Sequence, residues 1–129
     1  MSVKIISVAK QLPNYTRKTK DIIPFVKLWM RSQDSRFQRK VLKLFEGAGV
    51  DRRYSIMDPK EVFFNSSFEE KNNIYVREAK KIAEQALQKS LEKANLNPTD
   101  IDYIITVSCT GIMIPSVDAY LINSLQMRQ

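Results

Sequence analysis

The chain has 129 residues, with 21 Lys and Arg against 14 Asp and Glu, a formal net charge of +7 and 43% apolar residues. That length bounds it to one domain at most, and that composition supports a packed core rather than a disordered chain. The absence of histidine and the single cysteine exclude a Cys-His pair, a Ser-His-Asp triad, a zinc cluster and an internal disulfide from this polypeptide alone. No metal site is expected, and any general base must come from elsewhere. No apolar run approaches membrane-spanning length, and the start lacks a cleavable signal layout, so a cytoplasmic protein is expected.

In chain order, Val3 to Ala9 is apolar and β-branched and predicts a first strand, ended by Leu12-Pro13-Asn14. Asp21 is expected to cap a short helix beginning at Ile22-Ile23-Pro24, with Pro24 in the first turn, where its missing N–H costs little. Phe25, Leu28 and Trp29 would form its apolar stripe. Ser35 to Glu46 predicts a basic amphipathic helix with Phe37, Val41, Leu44 and Phe45 to one side, ended by Gly47-Ala48-Gly49. Val50 to Tyr54 is expected to be extended. Met57 to Phe68 is expected to be irregular, with a turn at Asp58-Pro59. The aromatics Trp29, Phe63, Phe64 and Phe68 are expected in the core.

Ile74 to Ala94 carries the clearest helical periodicity, through Val76, Ala79, Ile82, Ala83, Ala86, Leu87 and Leu91, and ends at Asn95 and Pro98. Tyr103 to Val107 predicts a second strand that opens onto the small-residue turn Ser108-Cys109-Thr110-Gly111. Val117 to Met127 predicts a last helix capped by Ser116. This order predicts an α/β fold with a mostly parallel sheet, since parallel pairing needs a crossover such as a helix.

Three features are candidates for chemistry. Cys109 is the one strong nucleophile, but nothing in the chain supplies the histidine that would depress its pKa, and a small residue lining a sheet end explains it as well. Lys40 and Lys43, at i and i+3, share a helix face and suit phosphates, with Arg36, Arg39, Arg52 and Arg53 nearby; a solvated helix face is the plainer reading. The Ile114-Pro115 bond lies in a loop, where the base rate favours trans.

The run from Ala94 to Asp102 followed by a strand resembles the pattern shared across the thiolase superfamily of condensing enzymes. The continuation through Cys109-Thr110-Gly111 and Pro115 to Leu121, together with Lys40 to Tyr54 ending in Arg-Arg-Tyr, is similar to bacterial type III polyketide synthases, the chalcone synthase-like enzymes. The resemblance covers essentially the whole chain. It implies residues 1–129 as the N-terminal portion of a layered α/β/α thiolase-like fold, ending before the nucleophile.

Such enzymes load an acyl group from acyl-CoA onto a cysteine, then decarboxylate malonyl-CoA and condense the carbanion with the acyl thioester. The resemblance therefore implies acyl-CoA and malonyl-CoA as substrates, no permanently bound cofactor, and catalytic Cys, His and Asn downstream of this segment. No catalytic residue is expected within the chain, which alone should be inactive. Lys40 aligns with a lysine that contacts CoA phosphates, and Lys43 with a basic residue, usually Arg, that does the same; Gly47 stands where a third position is often Lys. Cys109 and Thr110 align with positions lining the polyketide cavity. Ile114 aligns with a residue that reaches across the two-fold axis of a homodimer, and the proline after it, Pro115, is expected to be cis.

Two other readings remain open. One is a ketoacyl synthase or hydroxymethylglutaryl-CoA synthase-like condensing enzyme, against which the Cys-Thr-Gly-x-x-x-Pro-Ser run argues. The other is a non-catalytic basic module for nucleic acid, against which the spread of cations over several segments and the lack of interleaved aromatics argue.

Overall fold

The computed structural model describes residues 2–65 and 67–128; Ser66, within the stretch expected to be irregular, lies outside them. The chain forms two compact units, residues 13–71 and residues 1–12 with 72–129.

In the unit of residues 13–71, β1 (Tyr15–Lys18) pairs antiparallel with β2 (Arg52–Ser55), so the extended stretch expected near Val50 to Tyr54 is present. The register sets Arg17 opposite Arg53 and Lys18 opposite Arg52. Like charges directly opposite are unfavourable, and two of the four are drawn off. Arg17 forms an ion pair with Asp58 at 3.0 Å, and the Arg53 guanidinium stacks 4.9 Å from the Phe45 ring centroid. Asp58 accepts hydrogen bonds from the Lys60 amide and from Arg17, which hold its carboxyl below the usual range.

A two-stranded ribbon is marginal by itself, and here it runs straight into α1 (Thr19–Trp29). The Thr19 amide donates to Asp51 O at 2.8 Å and its hydroxyl to Val50 O, so the helix starts earlier than expected. Lys18, not Asp21, holds the cap position, and Pro24 lies inside the helix rather than in its first turn. The inward stripe is Ile22, Val26 and Met30, at i, i+4 and i+8. The expected stripe is corrected: Leu28 is 50% exposed and Trp29 52%. Residues 22–30 are apolar nearly all round, and the face that meets a partner is the one that becomes core.

That partner is α2 (Ser35–Gly47), where Val41, Leu42 and Phe45 pack against the α1 stripe along with Phe63. Asp34 caps α2 by accepting from the Arg36 and Phe37 amides at 2.9 and 3.0 Å. Gly49, at φ +62°, turns the chain after it. Phe37 and Leu44, expected inward, are exposed, as are Phe64 and Phe68. A wide helical turn, Glu61–Asn65, brings Phe63 within 5.9 Å of the Trp29 ring centroid.

α3 (Phe68–Ala94) begins six residues before the expected helix. Ser67 and Glu70 form a reciprocal capping box: the Glu70 amide donates to Ser67 Oγ at 3.1 Å and the Ser67 amide to Glu70 Oε2 at 2.8 Å. At the other end Asn95 takes φ +53°, and the Asn97 amide donates to Asp100 Oδ2 at 2.8 Å across a short turn, Pro98–Asp100.

In the other unit, both expected strands are corrected. Val3 to Ala9 and Tyr103 to Val107 form no ladder among the described residues, where β1 and β2 make the only sheet. A strand needs a neighbour about 4.8 Å away to satisfy its amides and carbonyls; neither segment has one. Val3 and Val107 are 99% and 92% exposed. The first segment instead lies along α3 through the Ser7 and Ser90 hydroxyls, 2.6 Å apart, and through Lys93 Nζ donating to Val8 O at 3.2 Å. The last helix, α4 (Val117–Ser124), is shorter than expected. Ser116 precedes it, but its hydroxyl donates to the Asp118 carboxylate rather than accepting from the helix backbone. No helix among the described residues is long and apolar enough to cross a membrane.

Candidate functional site

Two separate regions carry the residues singled out above. The first is the outer face of α2. Packing Val41, Leu42 and Phe45 inward turns Lys40 and Lys43 outward, and both are exposed. Side chains three residues apart on a helix stand about 5–6 Å apart at Cβ, a span that one diphosphate can bridge. Neither ammonium has an acidic partner among the described residues. Arg36 and Arg39 are exposed on the same helix, whereas Arg53 is engaged with Phe45. Gly47 closes the helix with open space around its Cα and brings no third cation. A different group of cations, Lys18, Lys20 and Arg52, lines a hollow of about 330 Å³ at the start of α1.

The second region is the loop between Val107 and α4. Cys109 is an exposed free thiol, its Sγ 3.9 Å from the Thr110 hydroxyl. Their neighbours Ser108, Gly111 and Met113 line a cavity of about 430 Å³ with Tyr75, Ala79 and Ala83 of α3, and Cys109 and Thr110 stand outside that lining. The Ile114-Pro115 bond is cis, as expected, and Ile114 is 92% exposed. The hydrogen bond from Ser116 is the largest influence on Asp118 and holds its carboxyl below the usual range. On the α4 side, Tyr120 donates to Glu84 Oε2 at 2.7 Å; that bond to a carboxylate favours the neutral phenol and raises its pKa. Lys80 Nζ lies 5.0 Å from the Tyr120 ring centroid.

Two residues of this second region were not signalled by the sequence. Asn72 and Tyr75 of α3 both grip the loop, Asn72 through the Ile112 backbone and Tyr75 through Ser108. Nothing local marks them, because their partners lie 33 to 40 residues on. Among the described residues no group of three or more His, Cys, Asp or Glu side chains is placed to hold a metal ion.

No protein-family model matches the chain. It is 43% identical over 84 residues to 1,3,6,8-tetrahydroxynaphthalene synthase of Streptomyces coelicolor, a match over 65% of this chain and 22% of that protein. It is 32% identical over 85 residues to phloroglucinol synthase of Pseudomonas fluorescens, over 66% of this chain and 24% of that one. The crystal structure of the Streptomyces coelicolor synthase, a bacterial type III polyketide synthase, superposes with a TM-score of 0.79 at 32% identity, covering 94% of this chain and 34% of that one. A type III pentaketide synthase from Neurospora crassa superposes at 0.80 with 24% identity, a likeness of fold. The chain thus spans about a quarter of the length of the curated relatives it matches. By sequence and by its thiolase-like α/β architecture, the chain belongs to the type III polyketide synthases.

Proposed function

We propose that this chain provides the coenzyme A-binding helix and part of the cavity wall of a condensing acyltransferase, and that it holds none of the groups that carry the bond-making steps. In that reaction a cysteine thiolate displaces coenzyme A from an acyl-CoA starter and holds the acyl group as a thioester. Malonyl-CoA then loses CO₂, and the enolate carbon so formed attacks the thioester carbonyl, forming a carbon–carbon bond and releasing the thiolate. Histidine and asparagine donors stabilise the enolate and the oxyanion.

The observation that carries this reading is the Lys40–Lys43 pair. Two exposed cations, without acidic partners among the described residues, stand one turn apart on a helix whose other side is packed. Cys109 and Thr110, exposed and outside the lining of the cavity of about 430 Å³ beside them, would face the polyketide cavity of the whole enzyme instead. Ile114, apolar and 92% exposed beside the cis Pro115, would be covered by a second subunit of a homodimer. Cys109 is not the nucleophile in this reading: the chain has no histidine to pair with it. A cytoplasmic setting fits its unpaired thiol.

The test is incubation of the chain with an acyl-CoA starter and malonyl-CoA labelled at the carboxyl carbon. Saturable, salt-sensitive CoA binding without release of labelled CO₂ is expected. Release by the chain unaided would overturn the division of labour. Absence of CoA binding up to roughly millimolar concentration would overturn the lysine assignment.

A further inference from the structure

The loop carrying Cys109 and Thr110 has an unusual means of support. Among the described residues, backbone–backbone hydrogen bonds do not reach residues 102–115. The loop is largely exposed, and side chains of α3 hold it at two of its residues, Ser108 and Ile112. Asn72 Nδ2 donates to Ile112 O at 2.9 Å, and the Ile112 amide donates to Asn72 Oδ1 at 2.8 Å. A planar carboxamide has a donor and an acceptor side by side, so it offers one residue of the loop what a neighbouring strand would offer. The reciprocity also fixes the orientation of the amide, since the reverse placement would set donor against donor.

One turn along the same face, the Tyr75 hydroxyl shares a hydrogen bond with Ser108 Oγ. Its ring lies close against Gly111. A Cβ at that glycine would fall 2.6 Å from Tyr75 Cε1 and closer still to Cγ and Cδ1. The anchors at 108, 111 and 112 bracket Cys109 and Thr110, whose side chains lie beside each other.

We propose that Asn72 and Tyr75 are positioning residues for the cavity wall: from α3 they set where Cys109 and Thr110 stand, and so which polyketide products the wall admits. The effect on products rests on the condensing-enzyme reading; the anchoring does not. The two are therefore measured separately.

In the 129-residue chain, Asn72→Ala should raise amide hydrogen exchange at Ile112 about tenfold relative to Leu121, as expected for a lost pair of hydrogen bonds. Asn72→Asp keeps an acceptor for the Ile112 amide but sets a carboxylate oxygen against Ile112 O, so its exchange should fall between wild type and Asn72→Ala. Tyr75→Phe keeps the ring on Gly111 and should loosen Ser108 alone. Unchanged exchange at Ile112 in Asn72→Ala would overturn the anchoring.

In the condensing enzyme that carries this chain together with its catalytic groups, supplied with acyl-CoA and malonyl-CoA, Asn72→Ala should alter the product ratio while the KM for the starter stays unchanged. Asn72→Asp should restore the ratio towards wild type, which a loss of fold would not do. An unaltered ratio in Asn72→Ala would overturn the positioning role. An inert wild type whose chain shows the expected exchange pattern would leave the anchoring supported and overturn the condensing reading.

Discussion

Met30→Ala is the substitution that tests the packing beneath the lysine helix. Met30 is 0% exposed and belongs to the stripe Ile22–Val26–Met30, against which Val41, Leu42 and Phe45 of α2 pack. Truncating a fully buried methionine removes its transfer free energy and leaves a cavity, a loss of about 2–5 kcal/mol. Whole domains are stable by only about 5–15 kcal/mol, so the unit should approach unfolding. The comparison is Leu28→Ala on the same helix. Leu28 is 50% exposed, and a half-buried leucine loses about 1 kcal/mol. Urea unfolding followed by fluorescence of Trp29, the sole tryptophan, reads this unit directly, since its ring lies 5.9 Å from that of Phe63. A lower midpoint with an unchanged slope is expected for Met30→Ala. Equal losses, or a larger one for Leu28→Ala, would refute the facing of α1 and with it the outward placement of Lys40 and Lys43.

Other outcomes follow from the same contacts. Lys43→Arg should tighten CoA binding about two- to fivefold in an isothermal titration, because a guanidinium grips a phosphate with two parallel bonds where an ammonium acts as a point charge. Gly111→Ala should destabilise the chain by driving a methyl into the Tyr75 ring, and Gly111→Ala with Tyr75→Ala should recover part of the loss in thermal melts. The folded-state pKa of Asp58 is depressed, so its contribution to stability is present above the unfolded carboxyl pKa and lost as pH falls through the folded value; Asp58→Asn should flatten that acid limb of the stability curve. Tyr120 has a raised pKa, so its contribution is complete below the ordinary phenol range and lost as pH rises through the folded value; in a spectroscopic titration it should ionise later in the wild type than in Glu84→Gln.

Helices α2 and α3 were legible in the sequence because each has one apolar side and one charged side. The facing of α1 was not: residues 22–30 are apolar nearly all round, so two stripes fit the same periodicity, and only the partner helix selects Ile22, Val26 and Met30. The Ser67–Glu70 box that starts α3 was present as Ser-x-x-Glu and would have moved the expected start from Ile74 to its observed place. The apolar runs at Val3 to Ala9 and Tyr103 to Val107 read as strands because side-chain character was visible while the hydrogen-bonding neighbour was not. Within the candidate site, the shared exposed face of Lys40 and Lys43 was legible in their spacing, while the phosphate role proposed for them came from the resemblance. The contacts of Asn72 and Tyr75 were not legible, because their partners Ile112, Ser108 and Gly111 lie across long stretches of chain.

The central proposal is that Lys40 and Lys43 contact the phosphates of coenzyme A. Titrating the chain with coenzyme A and with its 3′-dephospho form, while following the lysine side chains by nuclear magnetic resonance, tests this directly. Saturable shifts at Lys40 and Lys43, weaker for the dephospho form, are expected, with Lys18 and Lys20 little changed. Shifts confined to Lys18 and Lys20, or none at any lysine, would contradict it.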